Sequence, residues 1–341
     1  MASAHGKTHA DSEDEQLCLA TLSDYDAVMA IDRNVYSGLD YLPHGYPTLL
    51  QKPGVSAFVL KKGGRVVGFI TAEFIDGGQT LLTSAGRIAT DCREGGLFSR
   101  FTKSVFEQFR GSRGLKYLAF TTNNLNMAAN GHKILKTYRI VDERILTTVM
   151  MDVSQARQKA PQQTTHFPGL RQLSREDIQV MMSRDPADIK HLFPNGRVLV
   201  QWCPYRIIPE NADSVYGGGH PRAFLASSGK SLKNCDTTST EFPGTMLSCS
   251  YSFYIKLGHK IEIEVFGTGS EEEMRAHVEN HFRRLIDTCS EKEAFVHVSF
   301  SRNLDDILHG MKDPFCLRPS GSPINKIFSL EGDYQAVVSK E

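Results

Sequence analysis

Apolar residues in the first half of the chain switch repeatedly between two spacings, and each switch marks an element. "LCLATL" (17–22) reads as a short strand that runs into "SDYDAVMAIDRNVY". There Ser23 can cap a helix, Asp24 and Asp26 suit its positive end, and Val28, Ile31 and Val35 recur at helical spacing. From 55 to 89 the glycine pairs Gly63-Gly64 and Gly77-Gly78 cut a β-rich stretch into three runs, the pattern of an antiparallel meander. "GGLFSRFTKSVFEQFRGSR" follows, with Leu97, Phe101, Val105, Phe106 and Phe109 on one helical face. "LKYLAFTT" then reads as a buried strand, "NLNMAANGHKILKTY" as a helix and "RIVDERILTTVMMD" as a strand. This order predicts an α/β fold in which helices flank a mixed sheet.

The polar, unperiodic stretch 154–169 reads as a linker. Beyond it come a helix capped at Ser174, the strand "RVLVQWCPYRII", a loop rich in Gly, Ser, Thr and Asn, and then meander, helix, strand and helix again. The expected organisation is a disordered tail over 1–15, a first domain over 16–153, the linker, and a second domain over 170–341 that repeats the middle of the first as a degenerate copy. The turn "GTGSEEEM" places Glu271, Glu272 and Glu273 where a second phosphate cradle would lie. Those carboxylates stabilise the helix start but repel a phosphate.

Composition narrows the functional classes. Lys plus Arg equals Asp plus Glu, for a formal net charge of zero, and no basic block is interleaved with aromatics. Nucleic-acid and anionic-membrane partners therefore lack electrostatic support. The seven cysteines are scattered without a C-x-x-C pair, which points to a reducing, cytoplasmic setting. The polar, acidic N-terminal stretch has neither signal nor transit character.

The chemistry concentrates at "TDCREGGLFSRF" (90–101), where two glycines follow a strand and open a helix. Backbone N–H groups at such a helix start bind pyrophosphate, with Arg93 adding positive charge. "R-I-A-x-x-x-R-x-x-G-L-F" resembles the acetyl-CoA loop of the GNAT N-acetyltransferases, with Arg93 and Gly96 at its first and fourth positions and Phe98 departing at the sixth. "NMAA" (126–129) resembles the helix start beside the pantetheine arm. Over a longer reach, "YSGLDYLPHGY", "FIDGGQT", "GRIA", "KTYRI", "QWCPYR" and "IEVFG" resemble the vertebrate histidine N-acetyltransferase group.

The resemblance implies acetyl-CoA as co-substrate and a small amine or amino acid as acceptor, with direct transfer in a ternary complex. Cys92 is badly placed to carry the acyl group. The loop Arg93, Glu94, Gly95, Gly96 and Leu97 would hold the pyrophosphate, with Asn126 beside the coenzyme. A backbone N–H at Ile88 or Ala89 would meet the developing oxyanion. Ser84 stands where the group carries a general base, and Ile70 replaces a second Glu. Glu73 should face away from Ile70 and could substitute as base only if a bulge turns it. No general-acid Tyr matches, since Lys133 or Leu135 falls at its place, and Tyr138 reads as a packing residue.

Asp40, Tyr41, Gln201, Trp202 and Tyr205 are the candidate acceptor residues, through a carboxylate for the amine and an amphipathic aromatic group. Glu264 joins them by its place in the resembled pattern. Its alternation with Ile261, Ile263 and Val265 reads as an exposed strand carboxylate. The rival reading is an acetyltransferase-like binding protein without turnover, motivated by Ser84, Ile70 and Phe98. Two further motifs carry nothing: "SGKS" (228–231) lacks the first glycine of a P-loop, Phe224 standing there, and His277 with His281 lacks the Glu and third ligand of a zinc site.

Overall fold

The computed structural model describes residues 15–93, 95–161, 167, 169–217, 222–227 and 245–339. The expected tail, except Glu15, and "SGKS" lie outside the described residues. Glu15 opens the first strand.

The strands are β1 (Glu15–Leu19), β2 (Val55–Lys62), β3 (Arg65–Ile75), β4 (Thr80–Ile88), β5 (Tyr117–Asn123), β6 (Arg139–Asp152), β7 (Arg171–Gln172), β8 (Arg197–Val200), β9 (Cys203–Arg206), β10 (Ala223–Ser227), β11 (Met246–Ile255), β12 (Gly258–Gly267), β13 (Glu293–Phe300), β14 (Leu317–Pro319) and β15 (Lys326–Asp333). The helices are α1 (Tyr25–Ile31), α2 (Leu42–Gln51), α3 (Leu97–Glu107), α4 (Asn124–Ile134), α5 (Val153–Lys159), α6 (Arg175–Met182), α7 (Ala212–Tyr216), α8 (Glu271–Thr288), α9 (Asp305–Gly310) and α10 (Tyr334–Val338). One 13-stranded sheet runs β1-β2-β3-β4-β5-β15-β6-β13-β12-β11-β10-β7, with β14 on β6, and β8–β9 forms a separate hairpin.

The meander over β2–β4 and the helix over α3 match the periodicity. Two features do not follow the expected division. The stretch 154–169 begins within a helix, because Asp152 Oδ1 accepts the Gln155 N–H at 2.8 Å and caps α5. Strand β15, near the C-terminal end, inserts antiparallel between β5 and β6, and β6 pairs on its other side with β13. Each half thus borrows a strand from the other. The carboxy-terminal Tyr334 and Val338 complete the core that α3 and the meander build.

Between the two halves lies a layer made of the β8–β9 hairpin with α6 and α7. Leu82 of β4 and Leu247, Cys249 and Tyr251 of β11 belong to one buried cluster with Val198, Val200 and Tyr205 of that hairpin. Strands far apart along the sheet therefore share a core, so the sheet curves around this layer.

The helix start in the second half is filled from within. Glu273 is buried, accepts hydrogen bonds from Ser227 and Thr245, and leaves its oxygen where a side chain on Gly269 would sit. His277 and His281 are also buried and bond to Ser227 and Ser248 at 2.6–2.8 Å. Burial lowers both imidazoles to about 3. The unfolded chain, with ordinary histidines near ~6.5, binds these protons first. Stability is therefore full above pH ~6.5 and falls towards pH 3, by up to about 1.4 kcal/mol per pH unit for each ring. Urea midpoints between pH 7 and 5 should show this slope, and His281→Gln should flatten it.

Candidate active site

Strands β4 and β5 pair in parallel only over Thr80–Thr83 with Tyr117–Phe120. Beyond that point Ser84–Ile88 has β3 on one side and, among the described residues, no β5 partner on the other. A wedge opens between the strands, edged by free backbone groups. The cause is a bulge: the β3–β4 register shifts between Phe69 and Thr71, and Ala85 takes a left-handed φ of 55°. The Arg87 Nε–H donates to the Ala85 carbonyl at 3.3 Å and braces the bend.

The Ala89 N–H donates to Val67 O at 2.8 Å. Neighbouring N–H groups in a strand point to opposite sides, so the Ile88 N–H faces the wedge. Of the two expected oxyanion donors, Ala89 is already committed to Val67, and Ile88 is the one whose N–H faces the wedge.

The loop after β4 delivers its glycines as the sequence implied. Gly95 and Gly96 have φ of 69° and 73°, Gly96 caps α3, and a side chain on either would meet nothing within 4 Å. Leu97 buries its side chain in the core below. Glu94 lies outside the described residues. Arg93, half exposed, donates to Asp32 at 2.8 Å and to Ile88 O at 3.3 Å, so it stands beside the loop already paired. Asn126 donates to Thr122 Oγ1 at 2.8 Å and accepts from Asn130, while Asn123 caps α4 through the Leu125 and Asn126 N–H groups. This ties the first turn of α4 to the open end of β5. The sequence reading had missed Thr122 and Asn123.

Phe98, the departure from the resembled loop pattern, neither packs into the core nor fills the glycine cradle. Its ring is not in the core with Phe101, which is buried. It is 45% exposed and lies over Gly86, 3.0 Å from where a Cβ there would be. The bulky residue on the helix is matched by the missing side chain on β4, and the glycine cradle stays open. Phe98→Ala should leave the dissociation constant for CoA within about twofold, or lower it, in a calorimetric titration.

The opposite face of β3 and β4 carries the polar groups. Thr71 and Ser84 are cross-strand partners whose hydroxyls meet at 2.7 Å. Glu73 shares that face by alternation, so it needs no bulge to turn it. Its carboxylate pairs with Lys52 at 2.8 Å. Ile70 lies on the α3 side, beside Gly86.

Two segments singled out in the sequence converge here. Val200 pairs with Cys203, leaving Gln201 and Trp202 as a two-residue turn with φ of 52° and 62°. That is a type I′ turn built without glycine or asparagine. Tyr36 and Ser37, at 50° and 56°, form a second strained turn, and the Tyr36 and Trp202 rings meet at 6.0 Å. Six of the seven left-handed non-glycine residues described (Tyr36, Ser37, Asp76, Ala85, Gln201 and Trp202) border this face or anchor its hairpin. Strain concentrated in this way marks a functional site. Tyr36 keeps 41% of its surface accessible, yet burial among surrounding atoms raises its hydroxyl pKa. Burial raises the Tyr41 hydroxyl too and pushes the Cys203 thiol up to about 11, with Glu73 adding to the latter.

Three expected acceptor residues take other partners. Asp40 is buried in a two-pronged ion pair with Arg87, at 2.9 and 3.2 Å, and also accepts the Leu42 N–H, so it braces the cleft floor. Tyr205 is buried in the inter-half core and supports the turn from below. Glu264 is not an exposed carboxylate. Both faces of β12 are covered, so alternation there separates two interiors. Glu264 is buried, accepts from Ser299, lies 3.6 Å from Arg144, and burial raises its carboxyl to about 8 against the opposing guanidinium. Gln201 stays exposed at the turn and accepts from Arg222 at 2.6 Å. Tyr138 packs edge-on against Phe120 with ring centres 5.0 Å apart, and Leu135 is exposed.

The comparisons agree with this architecture. A tandem GNAT protein from the clavulanic acid biosynthesis pathway superposes with a TM-score of 0.54 at 11% identity, covering 94% of this chain and 99% of its own. No family model matches. In sequence, a histidine N-acetyltransferase of Xenopus tropicalis is 24% identical over 206 residues, and the human "Probable N-acetyltransferase 16" is 27% identical over 209. The chain is a distant relative of these proteins within the GNAT superfamily. The match takes in 58% of this chain and only 62% and 55% of the two relatives. No helix among the described residues is long and apolar enough to cross a membrane.

Proposed function

We propose that this protein transfers the acetyl group of acetyl-CoA to the amine of a small acceptor, an amino acid such as histidine among them, by direct attack. The observation that carries the reading is the open edge of β4: Ser84–Ile88 borders the coenzyme cradle on one face and the aromatic cleft on the other. The bound coenzyme would supply an acyl group activated as a thioester.

The protein's own part is placement and charge. The N–H groups at the start of α3 and the dipole behind them hold the pyrophosphate, with Arg93 adjacent. The Ile88 N–H receives the developing negative charge. Tyr36, Tyr41 and Trp202 exclude water and orient the acceptor. An α-amino group with a pKa near ~8 is partly neutral at physiological pH, so a modest proton sink suffices. Ser84 and Thr71, hydrogen-bonded to each other, would orient the amine, and its proton would leave to solvent or to Glu73 on the same face. Missing a strong base costs on the order of 10²–10⁴ in rate and leaves the reaction feasible.

One observation favours the rival reading, a binding protein without turnover: the Glu73 carboxylate on this face is already paired with Lys52. A screen of amino acids and common amines for CoA release separates the two. Turnover of any acceptor supports the transferase. Coenzyme binding without release from any acceptor assigns the protein to binding. Absence of acetyl-CoA binding at millimolar concentration removes both.

A further inference from the structure

The concave face of the second half holds a buried group of polar side chains that the transfer reading does not use. Thr148 on β6, His297 on β13 and Glu262 on β12 are successive cross-strand neighbours, and Lys260 shares their face two residues along. Glu262 is fully engaged: Lys260 donates to one oxygen at 2.5 Å and the Tyr251 hydroxyl to the other. His297 is only 2% exposed, and neither ring nitrogen has a hydrogen-bond partner among the described residues. Its Nδ1 is 3.8 Å from Glu262 Oε1, beyond hydrogen-bonding range. The adjoining Thr148 Oγ1 is buried and unpartnered as well. Native structures rarely leave such groups unpaired, so neighbouring orphans call for a partner.

Their place in the fold says where that partner comes from. Trp202 packs with Leu146, which is two residues from Thr148 on the same face of β6. At the other end of the group, the Lys256 N–H donates to Asp40 O at 3.1 Å, joining the β11–β12 turn to the loop that carries Tyr36 and Tyr41. The orphaned pair is thus bracketed by the two segments that wall the acceptor cleft.

The chemistry of the pair selects the ligand. Lys260 and Glu262 cancel in charge, which disfavours an added carboxylate or ammonium. A neutral imidazole brings one donor and one acceptor, and a hydroxyl can act as either. We propose that Thr148 and His297 form a recognition subsite for a neutral group that both donates and accepts hydrogen bonds, such as an amide or hydroxyl, carried by the amine acceptor. The inference rests on the acetyltransferase reading. It adds that the second half reads the acceptor while the first half acetylates it.

The test compares acceptors of matched size on the full chain saturated with CoA. Glutamine, glutamate and methionine, with the rest of the amino acids as a panel, are titrated calorimetrically into the wild type, Thr148→Val and His297→Phe. The wild type should favour neutral hydrogen-bonding side chains over aliphatic ones of equal size at least tenfold. Thr148→Val, which keeps the volume, should erase most of that preference. CoA affinity, unchanged within twofold, should show that each variant is folded. The subsite is refuted if the best acceptor is aliphatic or charged, or if the preference survives both substitutions. In that event the two groups serve solvent, and the acetyltransferase reading stands. If CoA binds but no amine does, the acceptor reading falls and the subsite with it.

Discussion

Gly96→Asp should weaken acetyl-CoA binding more than a hundredfold, whereas Gly96→Asn should weaken it only modestly. Position 96 caps α3 at φ 73°, in open space. Asp and Asn both tolerate that left-handed backbone better than other residues, so the pair shares its conformational cost and differs by one charge. A carboxylate about 5 Å from a bound phosphate, at an effective dielectric near 20, is repelled by about 3 kcal/mol. That corresponds to more than a hundredfold in the dissociation constant for acetyl-CoA. Calorimetry on both variants, with circular dichroism to confirm folding, reads the difference. Equal, small effects would place the coenzyme elsewhere. The aspartate variant also serves as the blank for the acceptor screen.

Asp76→Ala loosens the hairpin that carries Trp202. Asp76 is fully buried at φ 56°, and its Oδ1 accepts from the Arg206 N–H at 3.0 Å and from Asn211 Nδ2 at 2.7 Å. Its Oδ2 accepts from Thr80 at 2.6 Å and lies 3.3 Å from Arg206 Nε. Glu331 of β15 completes the knot by pairing with Arg139, Arg197 and Arg206. Removing Asp76 leaves the Thr80 hydroxyl, the Arg206 N–H and Asn211 Nδ2 without this acceptor and leaves Glu331 alone to balance Arg197 and Arg206, a loss of about 3–5 kcal/mol. Trp202 is the only tryptophan in the chain, so its emission reports the hairpin alone. We expect a lower urea midpoint, a red-shifted emission and a raised KM for the acceptor, with CoA affinity nearly unchanged. An unshifted emission would mean that the hairpin is held by apolar packing instead.

Much of the first half was legible because its signals are local. Glycine pairs cut the meander, the Gly95–Gly96 turn opens a helix, and an apolar stripe runs along α3. "GLDYLP" and "QWCPYR" were singled out as acceptor candidates by residue type, whereas the contact of Trp202 with Tyr36 came only with the fold. Glu264 was misread because alternation in a strand reports two faces and says nothing of whether the second is wet. Asp40 was misread for a related reason: a loop carboxylate looks available until the fold brings Arg87 beneath it. Glu73 was expected to need a bulge to turn it, whereas alternation along β3 already sets it on the face where Thr71 pairs with Ser84.

Periodicity and turn chemistry act over a few residues, so the chain alone set the elements, their order and the backbone cradle at 95–97. Strand exchange, the bulge at Ala85, the wedge it opens, and the burial of Asp76, Thr148 and His297 depend on partners more than a hundred residues away or on adjacent strands. Those are free-energy choices among alternative pairings. They are settled by which apolar faces can be covered at once and which buried polar groups find partners, and that competition exists only in the folded molecule.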